Sequence, residues 1–175
     1  HQYFAELGPD YLDNIPRDCY TWAQPQGDTI AFTAGFTTGH GYVMKSFDNG
    51  DNWERIVVYE SPYSPYGGGA TPDYGAGDGT SSVALDSEGN AHVVFGRMIY
   101  YRDNLNTLYY YPDTEGLIYW NESMPMLDTT IISSYTLDHL IEGGNLIGWV
   151  LDVTPLIGWG TYYTSLTSWP RIIID

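Results

Sequence analysis

The sequence predicts an all-β fold: a β-propeller segment of about three four-stranded antiparallel blades, part of a larger ring. Three observations carry this. Seventeen Tyr and six Trp stand among 20 Gly and ten Pro, a composition that suits strands joined by tight turns. Long Ala/Leu/Glu/Lys blocks of helical character are absent. Three stretches also repeat one grammar of strand, Gly-containing turn, strand and second hairpin, which is how a four-stranded blade reads in sequence. At 175 residues the chain suits one domain better than two, so 1–175 is read as a single partial propeller.

The first unit spans about 19–60. Cys19-Tyr20-Thr21-Trp22-Ala23 leads through Gln26-Gly27-Asp28 into Thr29 to Ala34. A second hairpin runs from Gly41 to Ser46, through an Asp-rich turn, to Trp53–Tyr59. The second unit spans about 80–123. Ser82–Asp86 turns at Ser87-Glu88-Gly89-Asn90 into Ala91–Phe95, with alternation on both sides. Its partner hairpin is expected from Thr107–Tyr111, a turn at 112–116, and Leu117–Trp120. The third unit, about 135–175, is degraded: Leu146–Leu151 follows Gly143-Gly144-Asn145, and Thr161–Ser165 precedes Trp169–Ile174.

The pairs Gly27-Asp28, Gly89-Asn90 and Gly144-Asn145 stand at corresponding points, 62 and then 55 residues apart. Propeller repeats run to about 40–50 residues, so insertions are expected. One is 61–79, where Pro62, Pro65, Gly67-Gly68-Gly69, Pro72, Gly75 and Gly77 argue against regular structure. A second lies near 124–141. Three blades do not close a ring, so the remaining blades are expected from missing chain or another subunit. The start at His1 and the strand-like end at Ile172-Ile173-Ile174 predict a processed or truncated product.

Ser46-x-Asp48-x-Gly50-x-x-Trp53 resembles the Asp box, S-x-D-x-G-x-x-W, of sialidases, sortilin-type receptors and secreted bacterial propellers of the BNR-repeat type. The logic of the turn is local. Asp48 accepts from turn amides, Gly50 takes a positive φ, and Trp53 folds its ring back over the hairpin. Echoes at Asp113/Gly116/Trp120 and Ser165/Ser168/Trp169 have different spacing. The resemblance implies that Ser46, Asp48, Gly50 and Trp53 are structural residues at the outer rim, away from any central ligand face. It also implies a secreted or cell-surface setting.

Asp and Glu total 22 against six Lys and Arg, a net charge of −16. Nucleic acid is excluded as a partner, because phosphate binding needs a basic stripe. No segment approaches the roughly 18 apolar residues of a membrane span, so no membrane insertion is expected. The single Cys19 is read as a small buried residue and rules out an intrachain disulfide. No cofactor is expected. Asp48-Asn49-Gly50-Asp51-Asn52 is oxygen-rich and makes Ca²⁺ the one cation to consider, yet Gly50 is in the wrong register for a calcium loop, and a plain turn is the favoured reading. His1, His40, His92 and His139 lack zinc spacing. No nucleophile elbow or phosphate loop occurs.

The resemblance also raises a sialidase-like glycoside hydrolase, with three Arg on the substrate carboxylate, a Tyr/Glu nucleophile pair and an Asp acid. Its Arg-Ile-Pro segment is absent, since the chain has Ile15-Pro16-Arg17. The preferred reading is an extracellular binding or interaction module for a glycan or protein ligand. Its expected ligand residues are Tyr63, Tyr66, Tyr74 and Trp159, aromatics in Pro/Gly surroundings that offer flat stacking faces. Most other Tyr and Trp are expected to pack between strands. A third reading is a structural fragment held in a larger secretion or surface assembly.

Overall fold

A computed structural model describes residues 7–8, 19–61, 69–111, 116–132, 137–148 and 167–174. It is a mostly β structure of two antiparallel sheets. The first sheet is a meander in chain order: β1 (Tyr20–Trp22), β2 (Ile30–Gly35), β3 (Gly41–Ser46) and β4 (Glu54–Tyr59). The turn between β1 and β2 closes through paired backbone bonds of Gln26 and Thr29 around Gly27 at φ 60°.

Alternation along these strands gives the first sheet two apolar faces. One carries Ala31, Val43 and Val58 into the main core. The other carries Phe32, Ala34 and Met44, with Leu7 and Trp53 packed against them. Phe36, at φ 60° just after β2, joins the sheets, with its ring 5.0 Å from Phe95 and 5.6 Å from Tyr59. All three rings are fully buried, and each contributes on the order of 2–3 kcal/mol by leaving water. Lys45, also buried, reaches across to Glu122 at 2.7 Å.

The second sheet is built on a long hairpin, β5 (Thr71–Leu85) and β6 (Ala91–Arg102). Residues 71–79, expected to be irregular, are therefore strand. Two features reconcile Pro72, Gly75 and Gly77 with that state. The register shifts between Thr71 and Tyr74, beside Pro72, and again between Gly77 and Ser81. Gly77 also lies where a Cβ would meet the Phe36 carbonyl oxygen at 2.2 Å, so glycine is needed for the close approach of the two sheets.

The expected hairpin of 107–111 with 117–120 is also corrected, and residues 112–115 of its expected turn lie outside the described residues. β7 (Leu108–Tyr111) and β8 (Leu117–Asn121) both pair antiparallel with β6, β7 at its 99–102 end and β8 at 92–96. They run the same way along one edge of β6 and do not form a hairpin with each other. The long β6 supplies enough partner backbone for both.

β9 (Leu146–Gly148) pairs with β8, so among the described residues the third unit forms no sheet of its own. Residues 169–174, read as strand, are not strand. Trp169 at φ 59° and Pro170, which lacks an N–H, break the extended run. The Trp169 and Ile172 amides instead donate to the Thr80 and Ser82 hydroxyls along β5. Two short helices, α1 (Thr129–Ile132) and α2 (Asp138–Glu142), place Ile132 and Leu140 in the core. Cys19, expected to be buried, is only partly so. Among the described residues no helix is long and apolar enough to cross a membrane.

Candidate ligand-binding site

The Ser46–Trp53 turn uses its polar groups internally. Ser46 Oγ donates to Asp48 Oδ1 (2.7 Å) and accepts from the Gly50 amide (2.8 Å). Asp48 accepts from the Asn52 amide (2.9 Å) and side chain (2.7 Å). Those bonds, the Asn52 side chain first, hold its carboxyl down at about 2. Gly50 sits at φ 96°. Trp53 Nε1 donates to the Gly50 carbonyl (3.0 Å), and its ring packs edge-on to Phe32 (5.4 Å) and Trp22 (6.2 Å).

The same device recurs at the expected 86–90 turn and at a second turn, 103–107, that the sequence reading did not name. Asp86 accepts from the amides of Glu88 and Asn90, and Asp103 from those of Leu105 and Thr107. The shared signal is an Asp heading a five-residue hairpin turn, with no Asp-box spacing.

Of the aromatic residues expected at a site, Tyr63, Tyr66 and Trp159 lie outside the described residues. Tyr74 was chosen because Pro and Gly neighbours suggested a position outside strands. It lies within β5, 3% exposed, with its ring 5.8 Å from Tyr100. Burial pushes its hydroxyl up to about 12. Its flat faces belong to the core.

The structure assembles a different tyrosine set at the open end of the second sheet. Tyr101 on β6 sits directly across from Tyr109 on β7. Their rings stack in parallel, 4.7 Å and 9° apart, and Tyr111 flanks Tyr101 at 5.8 Å. Among the described residues β7 pairs only with β6, so Tyr109, 40% exposed, stands at the sheet margin. Beside it the Asp103–Thr107 turn carries Leu105, 86% exposed.

Carboxylates flank this row. Tyr109 Oη donates to Asp103 Oδ2 (3.1 Å) and Tyr111 Oη to Asp73 Oδ2 (3.5 Å). Asp103 is held below its ordinary value by the Thr107 amide first, with lesser help from Tyr109 and Leu105. The arrangement offers aromatic surface with oriented acceptors at its rim. The row was legible only in part, because the run Tyr109-Tyr110-Tyr111 and the pair Tyr100-Tyr101 alternate faces, and cross-strand register decides which members meet.

Two clefts lie elsewhere on the surface. One, about 300 Å³, is lined by Asp86, Asn90, His92, Asn121, Glu122 and Ser123. Its groups serve one another: His92 bridges Tyr119 Oη (2.7 Å) and Asp86 (3.3 Å), and Glu122 takes Lys45 and the Ala91 amide. The other, about 560 Å³, lies between His40, Glu60 and Ser61 and the Met126–Thr129 segment. There His40 Nδ1 accepts from the Ser61 amide. Among the described residues no group of three or more His, Cys, Asp or Glu is placed to hold a metal ion. The described cations are largely withdrawn: Lys45, Arg97 and Arg102 are buried, and Arg97 donates to the Ile132 carbonyl.

No protein-family model, curated protein or solved structure matches the chain significantly.

Proposed function

We propose that this chain is a segment of an extracytoplasmic Asp-box β-propeller that acts as a binding module and takes a glycan at the Tyr101/Tyr109/Tyr111 edge. The observation that carries the ligand reading is the tyrosine row, with Tyr109 exposed and Tyr101 and Tyr111 half-buried, flanked by the carboxylates of Asp103 and Asp73. Aromatic faces stack on the C–H faces of sugars at little entropic cost, and fixed oxygens accept from sugar hydroxyls. Two features support the propeller reading. The first sheet is a four-stranded meander with the Ser46–Trp53 turn between its last two strands. Its second apolar face leaves Tyr20 57% and Trp22 53% exposed, as a sheet awaiting a neighbour on each side would.

The hydrolase reading is disfavoured, since Arg97 and Arg102 lie buried in the second sheet rather than converging on an open cleft. The test is affinity electrophoresis of the full chain in gels containing neutral, basic or acidic polysaccharide, alongside a fluorogenic sialoside assay. Retardation in at least one gel, lost in Tyr109→Ala, is the expected result. Sialoside turnover, or retardation unchanged in Tyr109→Ala, would overturn it.

A further inference from the structure

We infer that the tyrosine edge selects a cationic, amine-bearing polysaccharide, of the deacetylated aminosugar type, over neutral or acidic glycans. This deepens the glycan reading above and rests on it. Both polar partners at the ends of the row are carboxylates, Asp103 on Tyr109 and Asp73 on Tyr111, and the hydrogen bonds on Asp103 hold it ionised well into acid. The nearest cation on these strands, Arg102, is buried, and its charge acts on the inward Tyr74. An ammonium group placed at either end meets a carboxylate and tyrosine π-faces.

The surface as a whole carries the same sign. Of the six Lys and Arg, Arg17 lies outside the described residues, and Lys45, Arg97 and Arg102 are buried. Only Arg55 and Arg171 among the described residues reach solvent, against a net charge of −16. Such a field draws cations in and holds uronates and sialosides off.

A basic peptide shares the charge but not its titration. An aminosugar amine loses its proton near neutrality, whereas lysine holds its own to about pH 10.

The experiment is calorimetric titration of the chain with a chitosan hexamer, a chitin hexamer and a lysine hexamer, each at about pH 5.5 and about pH 8. The expected result is binding of chitosan at the lower pH, falling about tenfold or more at the higher, with chitin at least about tenfold weaker than chitosan in acid. Asp103→Asn keeps an acceptor oxygen for the turn amides and removes the charge. It and Asp73→Asn should each weaken chitosan binding several-fold while the chain stays folded, with the unfolding midpoint near the parent's in Asp73→Asn and modestly below it in Asp103→Asn, whose carboxylate charge holds the turn. Chitin binding as tightly as chitosan at both pH values would overturn the charge selectivity and leave the glycan reading standing. Lysine hexamer binding at both pH values, with neither sugar bound, would overturn both, as would no binding at all.

Discussion

Strand β6 sets two tyrosine populations back to back, and their contrast explains more of this molecule than either alone. Tyr100 points inward with Tyr59 and Tyr74, while Tyr101, the next residue, points outward with Tyr109 and Tyr111. Successive side chains of a strand alternate faces, so one step in sequence separates a core strut from a surface group. Two of the inward hydroxyls, those of Tyr59 and Tyr100, meet at Gly77, and Tyr59 Oη also donates to the Thr37 carbonyl (3.2 Å). Gly77 donates its amide to Tyr59 Oη (2.9 Å), and Tyr100 Oη donates to the Gly77 carbonyl (2.9 Å). Gly77 borders the register shift before Ser81, so both its polar groups find tyrosine hydroxyls where the ladder is interrupted. The outward hydroxyls of Tyr109 and Tyr111 serve carboxylates at the rim.

Removing an inward ring tests this division most severely. Tyr59→Ala should cost about 3–5 kcal/mol, the range for large aromatic truncations, because Tyr59 is fully buried between Phe36 and Phe95. Urea unfolding followed by fluorescence measures it. Tyr59→Phe keeps the ring and strands the Gly77 amide, which should cost about 1–3 kcal/mol. Tyr100→Phe strands the carbonyl, which has a second lone pair to offer, and should cost about 1 kcal/mol. If both phenylalanine variants unfold at the parent's urea midpoint, the hydroxyls are not the struts described.

An outward ring should behave oppositely. Tyr109→Ala is expected to leave the urea midpoint within experimental error and to lower glycan affinity about tenfold, as loss of a stacking anchor does. A large loss of stability would make the row structural and erase the contrast.

The same alternation explains how much was legible in sequence. The first sheet was, because its strands are bounded by strong turn chemistry at Gly27 and at Asn49-Gly50, and its apolar residues alternate cleanly. Residues 71–79 were not. Pro72, Gly75 and Gly77 signal a loop locally, but the twelve-residue β6 pairs with them, and the glycine at 77 answers a tertiary demand, room for the Phe36 carbonyl. Tyr74 was misplaced for the same reason. The outward row depends on the register Tyr101 to Tyr109, which no local pattern encodes, since β7 could equally have begun a new hairpin with β8.

The turn carboxylates give a smaller, pH-dependent effect. Asp48 is depressed from 3.8 to about 2, so the stabilisation from its bonds is fully present above about pH 4 and is lost as pH falls through about 2. Asp48→Asn retains an acceptor and removes the charge. Its thermal midpoint should lie below the parent's at neutral pH and converge on it near pH 2. A gap of constant size across that range would mean that the charge of Asp48 contributes nothing.

The finest test reads the two faces by the cause of their titration. Tyr74 is raised from 10.0 to about 12 by desolvation, whereas Tyr109 is raised first by its hydrogen bond to Asp103. A buried phenol stabilises the fold fully below about pH 10, and that contribution declines as pH rises toward about 12, because the unfolded chain ionises first. Asp103→Asn removes the anion beside Tyr109 and touches nothing around Tyr74. Ultraviolet titration of the phenols should then show one group moving down toward about 10 while the high-pH group stays in place. Movement of the high-pH group instead would mean that the two faces of β6 are electrostatically coupled, and that the outward row shares the core's fate.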